Sequence, residues 1–198
     1  DVHQLILLKG TEMATRQERE KFHFDVRYRV YIGCFGLYGI GDEKEVPVAE
    51  IEETVVGHET LSFKDYLECR VINLLVKIYI DHDPFREVFG FIRSRRLSVF
   101  GLLLHLRKIL PKYDSLSDLL ESFIEGTKKP LIRDTNSLKD FLNKENIKKY
   151  LSGELGGNEM LNHRAMAHLD YSKDLHAVLR ESCLSYLKEH NLLTNENL

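Results

Sequence analysis

From about residue 61 onward, apolar residues recur at three- and four-residue spacing almost without a break, while strand-like alternation is confined to the first sixty residues. This division limits the fold more than any other feature. Most of the chain must bury helical stripes against one another, and any sheet has to come from the short N-terminal part. The phrases Ser62-Phe-Lys-Asp65, Ser115-Leu-Ser-Asp118 and Ser137-Leu-Lys-Asp140 share one helix-start pattern. A serine oxygen accepts from the backbone N–H three residues on, and the acidic residue suits the positive helix start. Their starts lie 53 and then 22 residues apart, which reads as separate helix starts and not as a solenoid repeat.

The first helix is expected over Ser62–Ile80, with Tyr66, Leu67, Val71, Leu74, Leu75, Ile78 and Tyr79 on its apolar face. Asp83-Pro84 reads as cap and first turn of a second helix carrying Phe85, Val88, Phe89 and Ile92. A third is expected from Ser98 to Leu110, stopped by Pro111, and two more begin at Ser115 and Ser137. A last helical stretch spans Asn158 to His190 with a break near Ser172. Its stripe reads Leu161, Ala165, Leu169, Leu175, Leu179, Cys183 and Tyr186. The expected fold class is mainly α: a helical bundle of about six to seven helices with a short N-terminal strand and a β-hairpin.

The opening run has five apolar residues among positions 2–8 and stops at Lys9-Gly10-Thr11, the pattern of a buried strand and tight turn. Thr15 and Glu18 have capping-box spacing for a short helix to about Lys21. Val26, Tyr28, Val30 and Ile32 alternate with Arg27, Arg29, Tyr31 and Gly33, then Gly39–Glu45 reads as a turn and Val46–Val56 as the returning strand. The expected division is residues 1–60, holding strand, short helix and hairpin, and residues 61–198, a helical C-terminal domain. The chain begins at Asp1 and not at Met, which reads as a piece of a longer polypeptide.

A net charge of -3, from 28 Lys and Arg against 31 Asp and Glu, favours neither a general nucleic-acid binder nor an acidic tail. Cys34, Cys69 and Cys183 are an odd set with no metal or disulfide spacing, so buried reduced thiols and a cytoplasmic setting are expected. No run approaches the ~20 apolar residues of a membrane span.

Candidate chemistry is sparse. Asp81-His82-Asp83 places three ligand types together, but consecutive residues point apart, and a helix end followed by a cap accounts for them. His163, His168 and His176 do not converge on a single helix, so the residues alone indicate no metal site. Gly33, Gly36, Gly39 and Gly41 match neither phosphate-loop spacing and read as turns or bulges. Cys34 has no neighbouring base, so no catalytic residue is assigned. Arg86, Arg93, Arg95, Arg96, Arg107, Lys108 and Lys112 form a basic segment containing only one acid, Glu87.

The phrase Gln4-Leu-Ile-Leu-Leu8-Lys-Gly10-Thr11-Glu12-Met13 resembles the last barrel strand and following turn of radical S-adenosylmethionine enzymes. The nearest likeness is to iron–sulfur oxidoreductases with an N-terminal cobalamin-binding domain, although Lys9 stands where that pattern has Pro. The resemblance continues through Arg29-Val30, Cys34-Phe35-Gly36, Pro47–Glu53 and Asp65–Arg70, and His163–His176 is similar to the family's last helical stretch. It implies that Val2–Leu8 is the closing edge of a partial barrel whose other strands lie upstream. It also implies that the present residues form a C-terminal accessory region that covers the barrel and shapes the substrate cavity without being catalytic alone.

The same resemblance implies cofactor contacts at Leu8, Gly10 and Thr11, near the adenosyl moiety. The parent would carry a 4Fe-4S cluster and S-adenosylmethionine, with its use of cobalamin left open, and this fragment would hold no cofactor. The implied partners are the radical S-adenosylmethionine barrel and the cobalamin-binding domain of the same polypeptide, together with an unidentified substrate. A homodimer through the exposed N-terminal strand is a further expectation. The alternative reading is a stand-alone helical interaction module binding protein or nucleic acid through its basic helices, Arg86–Lys112.

Overall fold

The computed structural model describes residues 3–41 and 44–193. Val2 and two residues of the expected hairpin turn lie outside that range. Among the described residues the fold is mainly α, with one antiparallel hairpin. In chain order the elements are α1 (Arg16–Lys21), β1 (Asp25–Ile40), β2 (Lys44–Gly57), α2 (Phe63–Tyr79), α3 (Arg86–Ser94), α4 (Val99–Ile109), α5 (Asp114–Lys128), α6 (Thr135–Phe141), α7 (Lys144–Leu151), α8 (Glu159–Asp170) and α9 (Ser172–Glu189). No described helix is long and apolar enough to cross a membrane.

The chain divides into two compact units, residues 1–68 with 125–159 and residues 69–124 with 160–198. Residues 125–159, helical in pattern, thus group with the hairpin.

In the first unit the hairpin is longer than its alternating stretches, because the glycines lie inside the strand pairing. Pairs run in register from Val26↔Val55 to Val30↔Ile51, then resume at Phe35↔Ala49. Residues 31–34 therefore oppose Glu50 alone, a bulge in which Gly33 takes φ +82, a left-handed conformation that costs glycine little. α7 packs on both strands, with the Phe35 and Tyr150 ring centroids 5.0 Å apart. A Cβ at Gly156 would lie 2.5 Å from the Tyr150 ring, so the backbone beside that ring requires glycine. Lys144 at the start of α7 reaches Glu45 of β2 at 2.5 Å.

The N-terminal segment requires a correction. The expectation that its sheet lies wholly upstream does not hold, because Leu5 and Leu7 pair antiparallel with β2. Leu7 N–H donates to the Glu53 carbonyl at 2.8 Å, Val55 N–H donates to the Leu5 carbonyl at 2.9 Å, and Ile6 faces Thr54. The exposed edge of β2 satisfies these main-chain groups locally. The pairing serves one edge of the segment only; Ile6 turns its own N–H and C=O the other way.

The second unit is built on one apolar cluster, in which Leu74, Ile78, Ile92, Leu106, Phe123 and Val178 are essentially inaccessible to water. α4 and α9 pack closely within it. Ser98 caps α4 as expected, its Oγ accepting from Gly101 N–H at 3.1 Å. Thr15 also caps α1 through its Oγ1, though its own N–H goes to the Glu12 carbonyl, and the capping box at Ser62 forms in full, Ser62 and Asp65 exchanging both bonds. Three expected starts differ. α3 begins after Phe85 with no side-chain cap, while Asp83 has φ +55. α5 begins at Asp114, and Ser115 donates instead to Asp174. α6 is capped by Asp134, which accepts from the N–H groups of Asn136 and Ser137, three residues before the expected start.

α8 shows the opposite face to the one expected. Leu161 is 54% exposed and Leu169 81%, and Ala165 is exposed between them. Met160, His163 and Ala167 point inward. The break before Ser172 is real: α8 ends at Asp170 and α9 starts at Ser172.

Candidate functional site

The residues with the most specific mutual geometry lie in the first unit, where Gln4, Arg29, Glu52, Tyr66 and Glu159 meet. The hairpin register sets Arg29 of β1 directly opposite Glu52 of β2. Their side chains are 13% and 7% exposed, and the guanidinium Nε donates to the Glu52 carboxylate. A cross-strand pair of opposite charges this far from water must be well satisfied, since an unpaired buried charge is costly. Arg29 is: Nη2 donates to the Gln4 Oε1 at 3.4 Å, and Nη1 lies 3.8 Å from the Glu159 carboxylate. Gln4 in turn donates from Nε2 to the Tyr66 hydroxyl in the first turns of α2. Next to it, Arg19 of α1 donates to Glu53 at 2.6 Å.

This cluster is a clasp. It ties the N-terminal segment, both strands, and α2 and α8 at residues 66 and 159 around one fixed cation. The guanidinium offers donors in a fixed planar fork and no acceptor, so Arg29 positions and neutralises charge. Its field also reaches Tyr150, whose hydroxyl burial pushes above its ordinary pKa while Arg29 pulls it back down.

The chain matches no family model and no curated protein.

Leu8, Gly10 and Thr11 share one exposed turn just beyond the paired segment. The Leu8 carbonyl accepts from Thr11 N–H at 3.1 Å and from the Thr11 hydroxyl at 2.7 Å, and Gly10 has φ +88. The Leu8 side chain is 64% exposed. The turn thus presents an apolar side chain and a hydroxyl whose lone pairs remain free to accept. Sequence reading identified this turn but missed the clasp. The available signal was charge on each of two facing strands, Arg27 and Arg29 on one and Glu50, Glu52 and Glu53 on the other; which of them pair was not readable.

The cysteines sit singly on β1, α2 and α9. All three are free, with Cys69 exposed and Cys34 and Cys183 half-buried, so full burial does not hold for any of them. Burial raises the Cys183 thiol to about 11, which leaves it mostly protonated and slow to react at neutral pH. No group of three or more His, Cys, Asp or Glu side chains among the described residues is placed to hold a metal ion. An iron–sulfur cluster needs thiolates converging on its irons, and these residues do not fit one. His163 is instead a core residue, its Nε2 3.2 Å from Ser122 Oγ and its ring edge-on to Phe123. Asp81 pairs with Lys77 at 3.0 Å, which holds its carboxyl below the usual range, and Arg164 lies at 3.7 Å.

Proposed function

We propose that this chain is the C-terminal accessory region of a radical S-adenosylmethionine iron–sulfur oxidoreductase of the type with an N-terminal cobalamin-binding domain. In this role it covers the barrel and shapes the substrate cavity. The observation that carries the reading is the clasp. Gln4, Arg29, Glu52 and Tyr66 come from four separate phrases that resemble that family, up to 62 residues apart, and they meet around one guanidinium.

On this reading the clasp fixes the strand that ends in the Leu8–Thr11 turn, and the outer edge of that strand, at Ile6, takes the neighbouring barrel strand. Leu8 would make an apolar contact, and Gly10 and Thr11 hydrogen bonds, with the adenosyl group of S-adenosylmethionine. The cluster that starts the radical chemistry would be held by the upstream barrel, and the helices of this chain would keep water from the reacting centre. A cytoplasmic location belongs to the same proposal.

The decisive test is the polypeptide that precedes Asp1. A Cys-x-x-x-Cys-x-x-Cys motif within the preceding few hundred residues is expected, and its absence would falsify the proposal. A second test is biochemical. Joined to its upstream polypeptide, the protein should bind S-adenosylmethionine less tightly when Thr11 is changed to Val, and unchanged binding would remove Thr11 from the contact set. The expected homodimer through the free edge of residues 5–7 is checked on the isolated chain by light scattering, where a monomer at all concentrations would contradict it.

A further inference from the structure

The second unit carries an apolar groove that its core does not fill. It lies between α3 and α9, measures about 710 Å³, and has Phe85, Val88, Phe91, Leu179, Leu184 and Leu187 in its walls. A second hollow of about 580 Å³ adjoins it, with Arg180 and Leu184 lining both. Two cations and two acids line this apolar trough, and one of the acids is already neutralised. Arg180 and Lys188 are exposed and form no ion pair among the described residues. Arg95 stacks on the Phe91 ring at 5.1 Å and likewise has no carboxylate partner there. On the acidic side, Glu87 stands in the wall, and Glu181 is already held by Lys112 at 2.6 Å and by the Tyr113 hydroxyl at 3.1 Å.

We propose that this trough docks an amphipathic helix of a protein partner, one with an apolar stripe flanked by acidic residues. A groove between two helices accepts apolar anchors at i, i+3, i+4 and i+7, and the unpaired cations at its margin meet carboxylates beside that stripe. Nucleic acid is the poorer occupant. Its phosphates would use the cations but leave the apolar walls open to water, and phosphate contacts dominate such binding. The inference rests on the second unit alone and stands apart from the accessory-region reading.

The test uses the full chain and a synthetic helical peptide of about 18 residues, long enough to be partly helical before it binds. It carries leucines at i, i+3, i+4 and i+7 and glutamates elsewhere; a comparator has lysines in place of the glutamates. The glutamate peptide should bind at least about tenfold more tightly than the comparator, a free-energy difference of about 1.4 kcal/mol, and its affinity should fall as salt rises. The double variant Arg180→Glu with Lys188→Glu should reverse the preference. Both residues are exposed, so folding should be retained.

Alkylation gives an independent readout. Cys183 lines the groove and Cys69 is exposed in α2, outside it. Bound peptide should slow Cys183 modification and leave Cys69 unchanged. Equal binding of the two peptides, an indifferent charge-reversed variant, or absence of Cys183 protection would each overturn the proposal. So would displacement of the peptide by a single-stranded oligonucleotide that protects Cys183 equally well, or protection of Cys183 by self-association alone.

Discussion

The two units are held together by different physics. The second is an apolar cluster in which contacts are many and interchangeable, and its stability follows from area removed from water. The first has a thin sheet whose interior includes Glu52 and Thr54 as well as Val30, Val55 and Val56, and it is fastened by directional bonds through Arg29. A cluster of the first kind tolerates volume-conserving change and responds to cavities. A clasp of the second kind tolerates little, because removing one partner leaves the others buried and unsatisfied.

The sharpest way to break this contrast is Phe123→Ala. Phe123 is fully buried in the second unit, and the truncation should cost about 3–5 kcal/mol of stability in denaturant unfolding. Hydrogen exchange should locate the loss in α4 and α9, with the amides of β2 largely spared. Glu52→Ala comes next, at about 3 kcal/mol, because it removes the nearer carboxylate and leaves the buried Arg29 charge only Glu159 at 3.8 Å. Here the exchange pattern should invert, with β1 and β2 opening first. If both variants loosened the whole chain alike, the two units would be one cooperative structure and the contrast would fail.

Tyr66→Phe is a finer probe. It removes only the hydroxyl that Gln4 reaches, so a loss of about 1 kcal/mol is expected, together with faster exchange at Leu7. An unchanged Leu7 amide would show that Gln4 does not hold the N-terminal segment.

The smallest effect is pH-dependent and belongs to the second unit. Burial lowers the pKa of His168 in the folded chain below its ordinary 6.5, with Arg164 and His176 adding to the shift and a bond to the Ile78 carbonyl opposing it. The unfolded chain therefore takes up that proton first as pH falls. Stability is retained above pH 6.5 and lost progressively below it, as pH falls toward the folded pKa. In His168→Gln this part of the decline should flatten. A melting-temperature profile between pH 7 and pH 5, unchanged by the substitution, would remove His168 as its source.

The sequence by itself determined what a few neighbouring residues can settle. Thr15, Ser62 and Ser98 start helices because a side-chain oxygen meets an N–H three residues away, a bond that forms wherever the segment ends up. The hairpin and the break before Ser172 are legible from neighbouring residues too, the one from alternation and the other from a local break in the helical pattern. Cap competition within one turn misled the reading at Ser137, where Asp134 reaches the free N–H groups first.

Tertiary structure decided everything that depends on a distant partner. The helix α8 carries two rival stripes, Leu161–Ala165–Leu169 and Met160–His163–Ala167. The less apolar one turns inward, where His163 finds Ser122 and Phe123. The sequence could not announce that exchange, nor the meeting of Gln4 with Tyr66, nor the laying of Leu5 and Leu7 on β2. Each is chosen by what the rest of the fold leaves unsatisfied, and that is known only once residues tens of positions apart are brought within bonding distance.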